Sequence, residues 1–114
     1  MSALAVYYLA FAIGGFYLLW ILYLAVMNLK RAKDAGLLSK TAIALGTPVL
    51  IVGYLLDFAL NVFVMTLVML ELPRETTVSE RLKRHNQTST GWRLAVVRWF
   101  EPLLDPYDPS GDHV

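Results

Sequence analysis

The residues most able to do chemistry lie near the carboxyl end of the sequence, in "LLDPYDPSGDHV". Asp105, Asp108 and Asp112 are hard oxygen donors, and His113 adds an imidazole. Calcium or a transition metal is the first chemistry such a set suggests. The spacing fits no EF-hand loop, however, and Pro102, Pro106 and Pro109 punctuate the segment. Asp-Pro steps and a Ser-Gly pair are ordinary turn residues. The segment is therefore expected to stop a helix, and no metal site is assigned. Cysteine is absent, which excludes disulfides, thiolate nucleophiles and cysteine-ligated zinc. The only histidines are His85 and His113, and neither has a nearby nucleophile in a recognisable setting. No catalytic residues, no cofactor and no enzyme activity are expected.

A second polar group lies inside an apolar run. Tyr54, Asp57 and Asn61 stand at i, i+3 and i+7, on one face of a helix. An aspartate at a bilayer centre costs about 2.5–3.5 kcal/mol on insertion scales. Transport normally needs several ionisable groups, and the preceding apolar run has none. The three residues are therefore expected to be intramembrane polar packing, with a water-lined lumen as the alternative.

The elements that must carry these residues follow from the charge pattern. Hydrophobic residues make up 57% of the chain, above the roughly 45–50% usual for a soluble domain. The net charge is only +1, but positions 3–29 carry no charge at all. That run meets the requirement of about 20 apolar residues for a span. It lacks the basic start of a signal peptide. A second run covers 41–70, and Pro48 suits the first turn of a helix. The sequence thus predicts spans over about 3–29 and 48–70, joined by a basic connector at 30–40. Gly14 and Gly15 offer close helix approach. The fold class is an all-α membrane protein: a two-span hairpin at 1–72 and a short, helical, membrane-proximal amphipathic tail at 73–114. Basic residues flank both sides of the second span, so the charge rule nearly cancels, and a cytoplasmic connector is only slightly favoured.

In the tail, Pro73 should end the second helix, and Thr77 with Glu80 forms a capping box. Helices are predicted at about 78–85 and 91–101. Arg81, Lys83 and Arg84 could meet anionic headgroups, each at about 1 kcal/mol, or simply be solvated. Trp92, Trp99 and Phe100, with Arg93 intruding among them, suit a helix in the headgroup plane or one packed on a partner. The expected partners are the bilayer, a second copy, or another membrane protein of the host or phage. No nucleic acid is expected.

The segments "ELPRETTVSERLKRH", "GWR" and "WFEPLLDPYDPSGDH" resemble those of small uncharacterised inner-membrane proteins of tailed bacteriophages and prophages. Many of these carry a cysteine near the last histidine, and this chain has none. The resemblance implies a phage-encoded, multi-pass protein of the bacterial inner membrane and transfers no activity to any residue. Three functions remain open. A non-enzymatic protein could work through membrane or partner contacts, for example in superinfection exclusion. The alternatives are a holin-like lysis protein and a membrane-associated virion or assembly component.

Overall fold

The computed structural model describes residues 2–114. Helix α1 runs Ala3–Asp34, and the Ser2 hydroxyl caps it by accepting the Ala5 N–H at 3.2 Å. Its last turn, with Arg31 and Lys33, extends into the segment expected to be a connector. Gly36 then ends it in the left-handed region, at φ 72°. The Leu37 N–H bonds the Ala32 carbonyl, and the Gly36 N–H bonds that of Lys33. This is a Schellman stop, which a glycine adopts without Cβ strain.

The second long helix starts eight residues earlier than Pro48 predicted. It consists of α2 (Lys40–Leu60), a π-helical turn (Asn61–Met65) and α3 (Thr66–Met69) without a break in direction. Ser39 caps it through the Ala42 N–H, so Pro48 lies inside α2 and does not begin it. A proline there removes one helical hydrogen bond. Beside it, the Thr47 hydroxyl donates to the Ile43 carbonyl at 2.7 Å. The helix ends at Leu70, a left-handed residue with φ 52°.

The two long helices run antiparallel and approach through glycines. A Cβ on Gly15 would come within 3.0 Å of Leu60, and one on Gly46 within 2.8 Å of Leu29. Gly14, expected to share this role, has nothing within 4 Å. Both helices are long and apolar enough to cross a membrane.

Two tail helices follow, α4 (Val78–Thr88) and α5 (Trp92–Leu104), then a 3-10 turn at Asp105–Tyr107. Both helices outlast their predicted ends. Thr77 and Glu80 form the capping box, with Thr77 accepting the Glu80 N–H at 3.2 Å. Gly91, at φ 70°, precedes α5.

The tail does not continue beyond the hairpin. At about 1.5 Å per residue, the 32 residues of α1 are about 48 Å long, and the molecule measures 47 × 34 × 22 Å. The tail therefore adds width and no length: it folds back along one flank. The shared core joins Leu60, Val64, Met65 and Met69 to Val78, Leu82 and Val97, with Phe16 and Phe100 against it. The hairpin also leaves large apolar side chains exposed, among them Leu4, Ile13, Leu45 and Leu55.

Since Leu60 is fully buried, Gly15→Val should cost about 1–3 kcal/mol by overpacking. Gly14→Ala should raise stability by up to about 1 kcal/mol through helix propensity. Thermal unfolding in detergent, followed by circular dichroism, distinguishes the two. Equal effects would remove the close approach at Gly15.

Candidate functional site: a hydrogen-bonded relay between two cavities

Two of the three polar residues expected in the second long helix, Asp57 and Asn61, are engaged by the tail. Asp57 Oδ1 accepts the Val78 N–H at 2.7 Å, satisfying the first donor of α4. Asn61 Nδ2 donates to the Glu75 carbonyl at 2.6 Å. Both therefore bind the returning tail, while Tyr54 stays half exposed with no hydrogen bond among the described residues. The π-helical turn that begins at Asn61 also frees the Phe63 carbonyl for the Tyr8 hydroxyl, at 2.7 Å.

The basic residues expected on a membrane surface are mostly consumed within the fold. Arg81 is completely buried; its Nη2 reaches the Thr66 hydroxyl only at 3.5 Å, and Nε and Nη1 have no partner. Burial lowers its pKa, against the pull of Glu71 and Glu75. Arg84 bridges Glu71, at 2.5 Å, and Glu75. Glu71 also meets His85 Nε2 at 2.6 Å. Burial pushes the Glu71 carboxyl up, but its bonds to His85 and Arg84 prevail and hold it below its usual value. Arg93 caps the end of α3, donating to the Met69 carbonyl at 3.0 Å, and stacks over Trp92. Only Lys83 of this set remains simply exposed. Trp92 and Trp99 are exposed, and Phe100 packs against Phe16 with ring centroids 5.9 Å apart.

The terminal segment folds around its own aspartates. Asp105 Oδ1 accepts the N–H groups of His113 and Val114 at 2.8 and 2.9 Å. Asp108 is buried and accepts from the Ser110 N–H and hydroxyl. Lys30 lies 3.5 Å from it. Burial pushes the Asp108 carboxyl up. The bonds from Ser110 and His113, with Lys30 nearby, more than offset this and hold it well below the usual carboxylate range. Asp112 stays exposed. Among the described residues, no three acidic, histidine or cysteine side chains converge as a metal site would require.

His113 is the centre of a relay that the sequence does not reveal. Its Nδ1 lies 2.8 Å from Asp108 Oδ2, and its Nε2 lies 2.8 Å from Ser79 Oγ. Asp108 accepts, so Nδ1 carries a proton, and in the neutral imidazole Nε2 is then the acceptor for the Ser79 hydroxyl. Ser79 and His113 are 34 residues apart, and only the backfolding of the tail brings them together. The available signal was that Ser79 lies within a capping box, in a chain whose last histidine follows an aspartate-rich turn.

The relay stands between two cavities. The larger, about 940 Å³, separates α5 from the hairpin and is lined by Phe16, Leu19, Trp20, Leu50, Trp99 and Leu103, among others. Apart from tyrosines and tryptophans, the polar residues of its lining are Asp57, Ser79 and His113. The smaller, about 330 Å³, is lined by Thr77, Glu80 and Lys83 together with the same three residues. Trp20 and Tyr23 fasten α5 over the larger cavity, donating to the Leu103 and Leu104 carbonyls.

No family model, curated protein or solved structure matches the chain.

Two predictions follow from these pairings. Arg84→Leu should cost about 2–3 kcal/mol by stranding Glu71 and Glu75, whereas Lys83→Ala should change stability by less than about 0.5 kcal/mol. Chemical unfolding in detergent measures both. Because the folded pKa of Asp108 is depressed, its contribution is complete above the unfolded value of about 3.9 and fades as pH falls below it. Near-ultraviolet dichroism should show a loss of tail packing below about pH 4 that is weaker in Asp108→Asn, whose starting stability is lower.

Proposed function

We propose that the protein is an integral, multi-pass protein of the bacterial inner membrane that acts by holding a lipid acyl chain between its hairpin and its tail. A phage or prophage origin rests on the resemblance of the tail segments. The observation that carries the lipid reading is the cavity of about 940 Å³, walled mostly by aliphatic and aromatic side chains, with Asp57, Ser79 and His113 among its few polar residues. An apolar space with a few convergent polar groups suits an amphipathic ligand. Beside helices with exposed apolar faces, the most abundant such molecule is membrane lipid.

The surface of the molecule favours the same setting. The hairpin exposes Leu4, Ile13, Leu45 and Leu55, which suit a hydrocarbon environment. The tail exposes Arg98 and Lys83, which require water or a polar partner surface at that side. A second copy, or a membrane protein of the host or phage, fits there. The exclusion function is retained in this form, as contact with envelope lipid or protein. The holin-like function loses its main support, since Asp57 and Asn61 are engaged by the tail.

Native mass spectrometry of the protein released from detergent should show one phospholipid retained per chain. Leu50 lines the cavity and is half exposed, so a larger side chain there is tolerated and narrows the space. Leu50→Trp should reduce retention about tenfold, equivalent to about 1.4 kcal/mol. A wild-type chain that flies without lipid under the same conditions would overturn the proposal.

A further inference from the structure

We infer that Ser79, His113 and Asp108 form a nucleophilic relay that cleaves long-chain acyl esters of membrane lipid, with the acyl chain lying in the larger cavity. This rests on the lipid reading above and adds a reaction to it. Three observations carry it: the order of the bonds, the position of the serine, and the two cavities that meet at it.

The order of the bonds is that of an activated hydroxyl. Asp108 fixes the imidazole through Nδ1, and Nε2 faces Ser79 Oγ, each at 2.8 Å. The nucleophile, the base and the group that orients the base are thus in sequence, and such a set is recognised by geometry and not by chain order. Asp108 is itself held by Ser110 and Lys30. Asp105 fixes the main chain of His113. The base is therefore positioned from both sides.

Ser79 is the second residue of α4. The N–H groups of the first turn have no partners within a helix. Here the Val78 N–H is taken by Asp57 and the Glu80 N–H by Thr77. That leaves the Ser79 N–H as the first-turn donor beside its own hydroxyl, suited to an oxygen that gains negative charge. A histidine serving only to clip the chain end needs no open space on either side. His113 and Ser79 instead line both the apolar cavity and the smaller polar one. An ester carbonyl at their junction would place its acyl chain among Phe16, Leu19 and Leu103, and its alcohol portion toward Thr77 and Lys83.

The reaction balances with water as the only co-reactant. Ser79 Oγ bonds to the acyl carbonyl carbon as its proton passes to His113 Nε2. The bond from that carbon to the alcohol oxygen breaks, and His113 returns the proton to the departing alcohol. Water, deprotonated by His113, then attacks the acyl-serine ester, releasing the carboxylic acid and restoring the Ser79 hydroxyl. Ser79 and His113 are the catalytic residues, and Asp108 is a positioning residue.

The test uses the full chain in phosphatidylcholine nanodiscs, with a fluorophosphonate label and 4-nitrophenyl decanoate as probes. The wild type should take the label on Ser79, mapped by peptide mass, and should hydrolyse the decanoate faster than 4-nitrophenyl acetate. Ser79→Ala should abolish labelling and lower hydrolysis about 10³-fold or more, while keeping the wild-type melting curve and the retained phospholipid. His113→Gln should lower labelling to the same extent. Asp108→Asn, assayed where it is folded, should lower kcat about 10²-fold or more with little change in KM, because the wrong tautomer impairs chemistry and not binding. Absence of labelling in a wild type that retains phospholipid would overturn the relay and leave the lipid reading standing. Hydrolysis unchanged in Ser79→Ala would overturn it equally. Absence of retained phospholipid in Ser79→Ala, which cannot hydrolyse it, would remove the lipid reading on which the relay rests.

Discussion

An apolar hairpin cannot leave Asp57 and Asn61 without partners, and the remainder of the structure follows from where they find them. Asn61 does so through Nδ2 alone, since its buried Oδ1 has no partner among the described residues. A buried polar group with no hydrogen bond costs about 1–3 kcal/mol, and an unpaired charge costs more. The first long helix offers them nothing. The Val78 N–H and the Glu75 carbonyl do, and they lie on a segment that must reverse direction to arrive. Leu70 in its left-handed conformation and the residues around Pro73 make that reversal. Once it is made, Leu82 and Val97 bury against the hairpin, and the tail becomes part of the core.

The same reversal explains the fate of the basic residues. Arg81 and Arg84 look like a surface patch when only their neighbours in sequence are considered. In the fold, α4 lies beside the segment carrying Glu71 and Glu75, and Arg84 becomes the bridge between them. Arg81 is drawn under the helix with its guanidinium only weakly bonded. Such a charge lies among the less comfortable groups in the molecule, and its nearest relief is the two glutamates that Arg84 already holds.

How far the fold could be read from the sequence depended on range. The two long helices, the stop near Pro73 and the capping box at Thr77 and Glu80 are local features, and they were legible. Pro48 misled because a proline signals a helix start only on average. Ser39 provided a better cap, and the Thr47 hydroxyl occupies the neighbouring Ile43 carbonyl. Gly14 and Gly15 are indistinguishable as letters, yet only one faces Leu60. The turn chemistry of the terminal aspartates was legible, whereas their use in orienting His113 was not. The Asp57–Val78 bond spans 21 residues and the Ser79–His113 contact 34. No periodicity or spacing rule reaches across such gaps when the intervening chain turns back on itself.

Four of the bonds that hold the tail in place share one further property. Asp57 recognises the amide of Val78, Asn61 the carbonyl of Glu75, and Trp20 and Tyr23 the carbonyls of Leu103 and Leu104. In each case a hairpin side chain grips tail main chain. Every amino acid carries that carbonyl, and every one except proline carries that amide. Through these four bonds the hairpin specifies the path of the tail without specifying its letters. Lys30 with Asp108 and Arg93 with the Met69 carbonyl are among the bonds that do depend on a tail side chain. Where the core does not also constrain them, tail positions are free to drift or adapt to whatever they meet outside while the architecture persists. The residues that cannot drift so freely are the grippers in the hairpin.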